Sequence, residues 1–327
     1  MKPLALFVLL ISFSCAVNAQ FNAEKEPLIT RSLKGQSITK VNARTSGGSI
    51  NVEGVPAGEA RLEIYVRPSG TTASKYSKEE LQKKLDEDYS LEIMVANQTL
   101  NVSAKSKNKI NWKKQLSVSY RIYVPQNINS NLNTSGGSIR LAGLTGSQDF
   151  TTSGGSLHIE HLNGEVNGRT SGGSIHAENS SGTITLSTSG GSLNLSGLKG
   201  TIKANTSGGS ISGNAIQGEL ITSTSGGSVN LTDLSCSLEA TTSGGSMNVS
   251  LKQLGKYVNV SSAGGNVKVE LPGNKGLNLK VDGDRLKVGP LKNFSGQNDT
   301  HSINGTLNGG GIPVKIEGSS SVSVVFL

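Results

Sequence analysis

A short sequence, Thr-Ser-Gly-Gly-Ser, occurs eight times in this 327-residue chain, and seven copies are spaced by a constant 18 residues. The first glycines of these seven copies are Gly136, Gly154, Gly172, Gly190, Gly208, Gly226 and Gly244. The remaining copy occupies residues 45–49, and a degenerate Ser-Ala-Gly-Gly-Asn occupies residues 262–266. A unit of this length cannot bury a core by itself, so successive units must stack on one another. The repeat therefore predicts a solenoid.

The residues that follow each glycine pair alternate between apolar and polar. Counting from the first glycine as position 0, positions 3 and 5 are mostly apolar, as in Leu157 and Ile159, and position 4 is polar in every copy. This period of two is typical of a half-buried strand. We expect the position-4 side chains to point outward. Six of them are candidate surface contacts: Arg140, His158, His176, Asn194, Asn230 and Asn248.

A second strand is predicted in each coil, with positions 12 and 14 and the motif threonine facing inward. Glycines at position 10 and in the pair are expected to supply two turns per coil, where positive φ is tolerated. We also expect stacked Thr and Ser hydroxyls to hydrogen-bond to their equivalents above and below. The predicted fold is all-β: a single parallel β-solenoid with 18-residue coils, right-handed by the general preference of parallel crossovers.

The spacing divides the chain into five predicted segments. Residues 1–19 read as a signal peptide, and residues 20–54 as N-terminal strands with a first coil. Residues 55–125 are expected to form a small α+β insertion with a helix at about 77–89. The regular solenoid is expected over 126–271, followed by irregular C-terminal coils and a cap over 272–327.

Export after cleavage near Ala19 would place the protein in the periplasm, at the cell surface or outside the cell. No later stretch approaches the roughly 20 apolar residues of a membrane span. The mature chain would keep one cysteine, Cys236, which stands where neighbouring repeats have glycine. A small buried side chain is expected there, with a reactive thiol or intermolecular bridge as the alternative.

The positive charge of the chain is concentrated upstream of the regular array. Residues 55–125 hold 12 Lys and Arg against 8 Asp and Glu, whereas residues 126–260 hold 6 against 7. A basic excess favours anionic surfaces or glycans, and no nucleic-acid motif accompanies it. A basic, aromatic-tipped hairpin is the second candidate contact surface, with a solvated hairpin end as the alternative: Lys105, Lys107, Lys109, Trp112, Lys113 and Lys114.

Catalytic, metal and cofactor motifs are not recognisable in the sequence. His158 and His176 should be stacked neighbours, but no third ligand repeats with them. The carboxylates Glu160, Glu178 and Asp233 are expected at different positions of their coils, so that no acidic cleft forms. The phosphate-loop signature and the Gly-x-Ser-x-Gly elbow are both missing. We therefore expect no cofactor and no bound metal.

Three features together resemble a known family: Gly-Gly-Ser-Ile at 47–50, Tyr-Arg-Ile-Tyr-Val-Pro at 120–125, and the regular units from Asn133 onward. They are similar to the bacterial putative-adhesin family of β-strand-repeat envelope proteins, which is classed as a domain of unknown function. The resemblance covers about residues 30–270. It implies an envelope-associated β-solenoid, and it brings no catalytic or binding residues with it.

These observations predict a non-enzymatic secreted or envelope protein that acts as an adhesin or structural spacer. Its expected partners are a cell-surface glycan, an anionic envelope component or another envelope protein. A polysaccharide lyase or hydrolase that uses a solenoid groove is the alternative. Ice binding through the Thr and Ser rows is a minor alternative, because the motif threonine is predicted to face inward.

Overall fold

The computed structural model describes residues 26–68, 76–107 and 115–327. The predicted signal segment and four candidate residues of the basic hairpin, Lys109, Trp112, Lys113 and Lys114, lie outside these ranges. The first strands are β1 (Ile29–Ser32), β2 (Lys40–Thr45), β3 (Ile50–Gly54), β4 (Arg61–Pro68), β5 (Tyr89–Ala96), β6 (Thr99–Ser106) and β7 (Leu116–Val124). A 3-10 turn covers Ala57–Glu59, and helix α1 covers Lys78–Asp88.

Eighteen further strands follow. The regular array comprises β8 (Asn129–Thr134), β9 (Ile139–Ala142), β10 (Thr145–Thr152), β11 (Leu157–Glu160), β12 (Asn163–Thr170), β13 (Ile175–Glu178), β14 (Ser181–Thr188), β15 (Leu193–Ser196), β16 (Lys199–Thr206), β17 (Ile211–Asn214), β18 (Gln217–Thr224), β19 (Val229–Thr242), β20 (Met247–Ser262) and β21 (Val267–Leu271). The C-terminal strands are β22 (Leu277–Val288), β23 (Phe294–Asn298), β24 (Ser302–Leu307) and β25 (Ile312–Phe326).

Each coil of the array contributes one long and one short strand, and equivalent strands pair in parallel. Strands β8, β10, β12, β14, β16 and β18 form the long-strand sheet, which continues through the second halves of β19 and β20. Strands β9, β11, β13, β15 and β17 form the short-strand sheet, which continues through the first halves of β19 and β20. The predicted all-β solenoid with 18-residue coils is confirmed. Its right-handed sense stays a prediction.

The core lies between the two sheets and is filled by the inward rows that the alternation predicts. Positions 3 and 12 are buried from coil to coil, and the motif threonines are buried with them. Large and small side chains alternate along position 14, where Phe150 and Leu186 cover Gly168 from its two sides. A Cβ added at Gly168 would lie 2.6 Å from the Phe150 ring. Neighbouring coils therefore fill each other's space.

The motif threonine joins each coil to the one before it. In one such corner, Thr206 Oγ1 donates to the Gly191 carbonyl at 2.8 Å and accepts from the Gly209 N–H at 3.3 Å. The last serine of the motif uses its hydroxyl as an acceptor for a backbone group: the Ser210 N–H donates to Oγ of Ser192, the equivalent serine of the preceding coil, at 3.3 Å. The prediction that equivalent hydroxyls bond to one another is wrong, because the backbone offers the nearer partners.

The glycines of the motif are required for close stacking rather than for positive φ. A Cβ on Gly191, the second glycine of its pair, would lie 2.0 Å from the carbonyl oxygen of Gly173. Positive φ occurs instead at position 10, as in Gly164, and at position 7, as in His161 and Asn179. The glycines of the pair are not among the residues with positive φ.

At the N-terminal end the order of strands in space differs from their order in the sequence. The coil formed by β2 and β3 lies between the β6–β7 coil and the β8–β9 coil. Strand β5 then pairs outside β6, and β4 and β1 pair outside β7. The strands expected in a separate α+β insertion therefore extend both sheets of the solenoid.

Strand β6 pairs with β2 and β5, whereas β7 pairs with β3 and β4. Residues 108–114, which connect the two strands, lie outside the described ranges. The tip of the predicted basic hairpin lies among these residues, so the hairpin stays a prediction. Helix α1 begins with a capping box between Ser77 and Glu80 and buries Leu85. The Tyr89 hydroxyl, just after the helix, bonds to the backbone of Leu116 on β7.

The C-terminal end has a similar exchange. Strand β25 lies between the β20–β21 coil and β22, although β22 comes earlier in the sequence. The hairpin of β23 and β24 pairs antiparallel to β22 and covers its first half. These two strands lie within the segment 272–327, for which irregular coils and a cap are predicted.

Candidate contact surfaces

The outward position-4 side chains form one continuous row on the short-strand sheet, which we call the ladder row. Parallel pairing places Arg140 beside His158, His158 beside His176, and His176 beside Asn194. The row continues through Ser212, Asn230 and Asn248. Asn248 Nδ2 donates to Asn230 Oδ1 at 2.9 Å. All six ladder candidates of the sequence analysis are thus brought together, and their role as contacts stays a prediction.

Two histidines of the ladder row stack face to face. The ring centroids of His158 and His176 lie 5.0 Å apart, with 3° between the ring planes, and Asn194 Nδ2 lies 3.3 Å from His176 Nδ1. Partial burial, followed by the neighbouring His176 and Arg140, lowers the pKa of His158 below its ordinary value. Protonation of His158 is therefore less favourable than that of a free imidazole.

A second outward row, at position 6, contains neighbouring carboxylates. Glu160 pairs directly with Glu178 on the next coil, so the expectation that they occupy different positions is wrong. Glu160 Oε2 accepts a hydrogen bond from Arg140 Nη2 at 2.7 Å, and its other oxygen lies 3.5 Å from His161 Nδ1. The pair lies beside the histidine stack on an open sheet face.

At the N-terminal end, the same face carries arginine and tyrosine pairs. The Arg61 guanidinium lies 3.7 Å from the centroid of the Tyr123 ring, and that of Arg121 lies 4.8 Å from the centroid of Tyr65. Glu63 links the two pairs by accepting from Arg61 Nε and from the Tyr65 hydroxyl, each at 2.8 Å. A depression of about 170 Å³ beside them includes Asn51, Glu53 and Arg140.

A groove of about 510 Å³ crosses the opposite, long-strand face at the same end. It contains Lys105 together with Lys40 and Arg44 of β2. Lys40 and Arg44 are not recognisable as contact residues from the sequence, because only the pairing of β2 with β6 brings them beside the basic segment. Lys107 is directed elsewhere, and its Nζ donates to the Asp86 carbonyl at the end of α1.

The structure also shows the surroundings of Cys236, of the possible metal ligands and of the motif threonines. Cys236 is buried, and burial raises the pKa of its thiol to about 12. Within the described ranges, no group of three His, Cys, Asp or Glu side chains is placed to hold a metal ion. No helix in these ranges is long and apolar enough to cross a bilayer. The motif threonines are buried, so they do not form the outward row that ice binding requires.

Comparison with known proteins identifies a family. The model described as Toastrack DUF4097 matches residues 60–320, more than three quarters of the chain. No curated protein matches the sequence. A structure of a putative adhesin from Bacteroides fragilis NCTC 9343 is 20% identical with a TM-score of 0.40, and the alignment covers 74% of this chain and 96% of that one.

A second structure, of a putative cell adhesion protein from Clostridium sporogenes ATCC 15579, is 11% identical with a TM-score of 0.21. Its alignment covers 91% of this chain and 97% of that one.

Proposed function

This chain belongs to the Toastrack DUF4097 family, and we propose that it is a non-enzymatic protein of the cell envelope or its exterior. It acts as a rigid support whose faces contact glycans or other envelope components. The observation that carries the proposal is the ladder row, an uninterrupted line of polar side chains held in register over successive coils.

Rigidity follows from the way in which the coils are joined. Each coil is hydrogen-bonded to the next along both strands, and a buried threonine fastens each corner. In the described part of the chain, every buried side-chain nitrogen and oxygen has a hydrogen-bond partner. Local opening would break these bonds inside a dry core, which is costly. The faces therefore keep a fixed spacing.

The chemistry of the ladder row suits sugars. Amide and imidazole groups both donate and accept hydrogen bonds, which is what vicinal hydroxyl groups require. Successive coils lie about 4.8 Å apart, so a linear polymer along the axis meets a similar group at every coil. This repetition supports contact with a polysaccharide, in which many weak contacts add together.

Retention on immobilised polysaccharides and on whole-cell envelope fractions tests the proposal. The informative variant combines His176→Ala, Asn194→Ala and Asn230→Ala on the ladder row. Its matched control combines Asn167→Ala, Thr185→Ala and Asn205→Ala on the long-strand face. We expect retention to fall in the ladder variant only. The proposal is contradicted if no polysaccharide or envelope fraction retains the wild-type protein, or if both variants behave alike.

A hydrolase is the second candidate, because Glu160 and Glu178 are direct neighbours. Glycosidases use two carboxyl groups, one on each side of the scissile bond. Here both carboxylates lie on one open face, and Glu160 is already held by Arg140. A reducing-end assay on polysaccharide substrates decides between the two functions. Release of oligosaccharide that Glu178→Gln abolishes would establish the hydrolase and overturn the non-enzymatic proposal.

A further inference from the structure

We propose that a cationic groove at the N-terminal end of the long-strand face binds an anionic polysaccharide. The cationic groove is defined by Lys40 and Arg44 on β2 and Lys105 on β6, with Glu92 as the carboxylate in its lining. This inference rests on the proposed function, and it adds a second contact surface and a ligand class. The ladder row lies on the opposite sheet and takes no part in it.

The strand register gives the groove its charge pattern. Lys40 and Arg44 lie on the same side of β2, four residues and about 13 Å apart. Arg44 pairs with Ser103, and Lys105 follows two residues later on β6. All three cations are exposed and make no ion pair within the described residues. Cations spread over this distance fit an extended ligand with several anionic groups better than a single phosphate.

The negative charges near the groove are few. Glu92 on β5 accepts a hydrogen bond from Ser103 at 3.4 Å. Asp149 on β10 lies beyond Asn131, which adjoins Asn42 on β2. Three unpaired lysine and arginine side chains therefore face one carboxylate in the groove itself. The resulting positive potential favours anionic ligands and falls with added salt.

The floor of the groove favours a sugar polymer over a membrane. Asn131, Asn42 and Asn101 lie side by side on three strands, and Asn42 Nδ2 donates to Asn101 Oδ1 at 2.9 Å. Amides of this kind can bind sugar hydroxyls between the charged groups. Binding to lipid would also need apolar side chains that enter the bilayer. Met94 is the one exposed large apolar side chain in the groove lining.

Titration of the chain with soluble polygalacturonate, an uronate polymer, tests the inference, with dextran as its neutral counterpart. The groove variant combines Lys40→Glu, Arg44→Glu and Lys105→Glu. The control variant combines Arg169→Glu, Lys199→Glu and Lys203→Glu, which are exposed on the same sheet and change the net charge equally. We expect the Kd for polygalacturonate to rise roughly tenfold or more in the groove variant and to stay within about twofold in the control.

Four results would overturn the proposal that the cationic groove binds an anionic polysaccharide. They are equal losses in the two variants, unchanged binding in the groove variant, absence of polygalacturonate binding by the wild type, and preferential binding to phosphatidylglycerol vesicles. Circular dichroism confirms that both variants are folded. If one of these results is obtained while the ladder variant still loses retention on neutral polysaccharide, the proposed function is kept, and only binding in the cationic groove is rejected. If neither a polysaccharide nor an envelope fraction binds to the wild type, both proposals fail.

Discussion

At the scale of single residues, the motif is a device for joining coils rather than a row of binding sites. The threonine hydroxyl both donates and accepts, and it connects the second glycine of its own coil with that of the preceding coil. At the degenerate copy the same pair of bonds is made by Ser262 Oγ, with Gly245 at 3.0 Å and Gly265 at 3.1 Å. A hydroxyl group at the first position of the motif is therefore the feature that joins successive coils at the corner.

Replacing Thr206 by valine tests this requirement, because valine keeps the shape and removes the hydroxyl. Two part-buried backbone groups lose their partner, and we expect the free energy of unfolding to fall by about 1–3 kcal/mol. Thr206→Ser is the matched control, with an expected loss of about 1 kcal/mol for the missing methyl group. Urea unfolding measures both. A valine variant as stable as the wild type would contradict the role of the hydroxyl.

The two glycines of one pair should respond very differently to alanine. A Cβ on Gly191 would lie 2.0 Å from a backbone oxygen, whereas the nearest atom to a Cβ on Gly190 is 3.6 Å away. We expect Gly191→Ala to lower the unfolding free energy by about 3 kcal/mol or more, since stacked backbones cannot move apart locally. Gly190→Ala should change it by less than about 1 kcal/mol. Similar losses in thermal unfolding of the two variants would refute the close-stacking explanation.

At the scale of strands, the histidine stack links stability to pH. The pKa of His158 is lowered in the folded protein, so the unfolded chain binds more protons in this range. The stabilising contribution is thus complete above the unfolded value near 6.5 and is lost as the pH falls below it. His176, Arg140, Glu160 and Glu178 are the charged or titratable neighbours on the adjoining strands.

Replacing His158 by asparagine, a residue that the ladder row already contains, should weaken this dependence. We expect the urea midpoint to fall less between about pH 7.5 and 5.5 in His158→Asn than in the wild type. Ser212→Asn, a neutral change in the same row, should follow the wild type. If the urea midpoint changes with pH in the same way in all three proteins, the histidine stack is not the source of the pH dependence.

How far the sequence predicts each strand depends on where its pairing partner lies. In the array the partner is 18 residues away, so the period alone predicts β11 beside β13 and the ladder row with them. Strand β2 pairs with β6, about 60 residues later, and no periodicity connects the two. For that reason the helix and strands between them could be recognised individually, whereas the groove of Lys40, Arg44 and Lys105 could not.

At the scale of the whole molecule, both ends of the solenoid hold a coil that is out of sequence order. Strands β2 and β3 are covered by later strands, and β25 lies between β21 and β22. Arg31 Nη1 also donates to the Ile93 carbonyl of β5, the last strand of the long-strand sheet at this end. Arg31 thus occupies one backbone acceptor of this outermost strand, and charged side chains at such an edge limit strand-to-strand aggregation.

Between these ends, coils contact only their neighbours, so one coil should be removable without loss of the fold. Deleting residues 208–225 joins Ser207 to Gly226 and restores the motif. Inside the core it removes Gly213 and Thr222, and it brings Leu195 beside Leu231 and Ala204 beside Ala240. Two large side chains already lie side by side at the first of these positions, where Leu141 pairs with Ile159. We expect a folded protein with one cooperative unfolding transition, shorter along its axis by about 4.8 Å in small-angle scattering.

Deleting only residues 208–216 is the matched control for this experiment. It joins Ser207 to Gln217, which removes a short strand and its corner glycines together, so the two sheets can no longer alternate. We expect this shorter deletion to be more damaging than the longer one, with loss of cooperative unfolding and of the strand signal in circular dichroism. If the 18-residue deletion unfolds the chain as well, the coils depend on more than their neighbours. The solenoid would then be a single cooperative unit whose length cannot vary by whole coils.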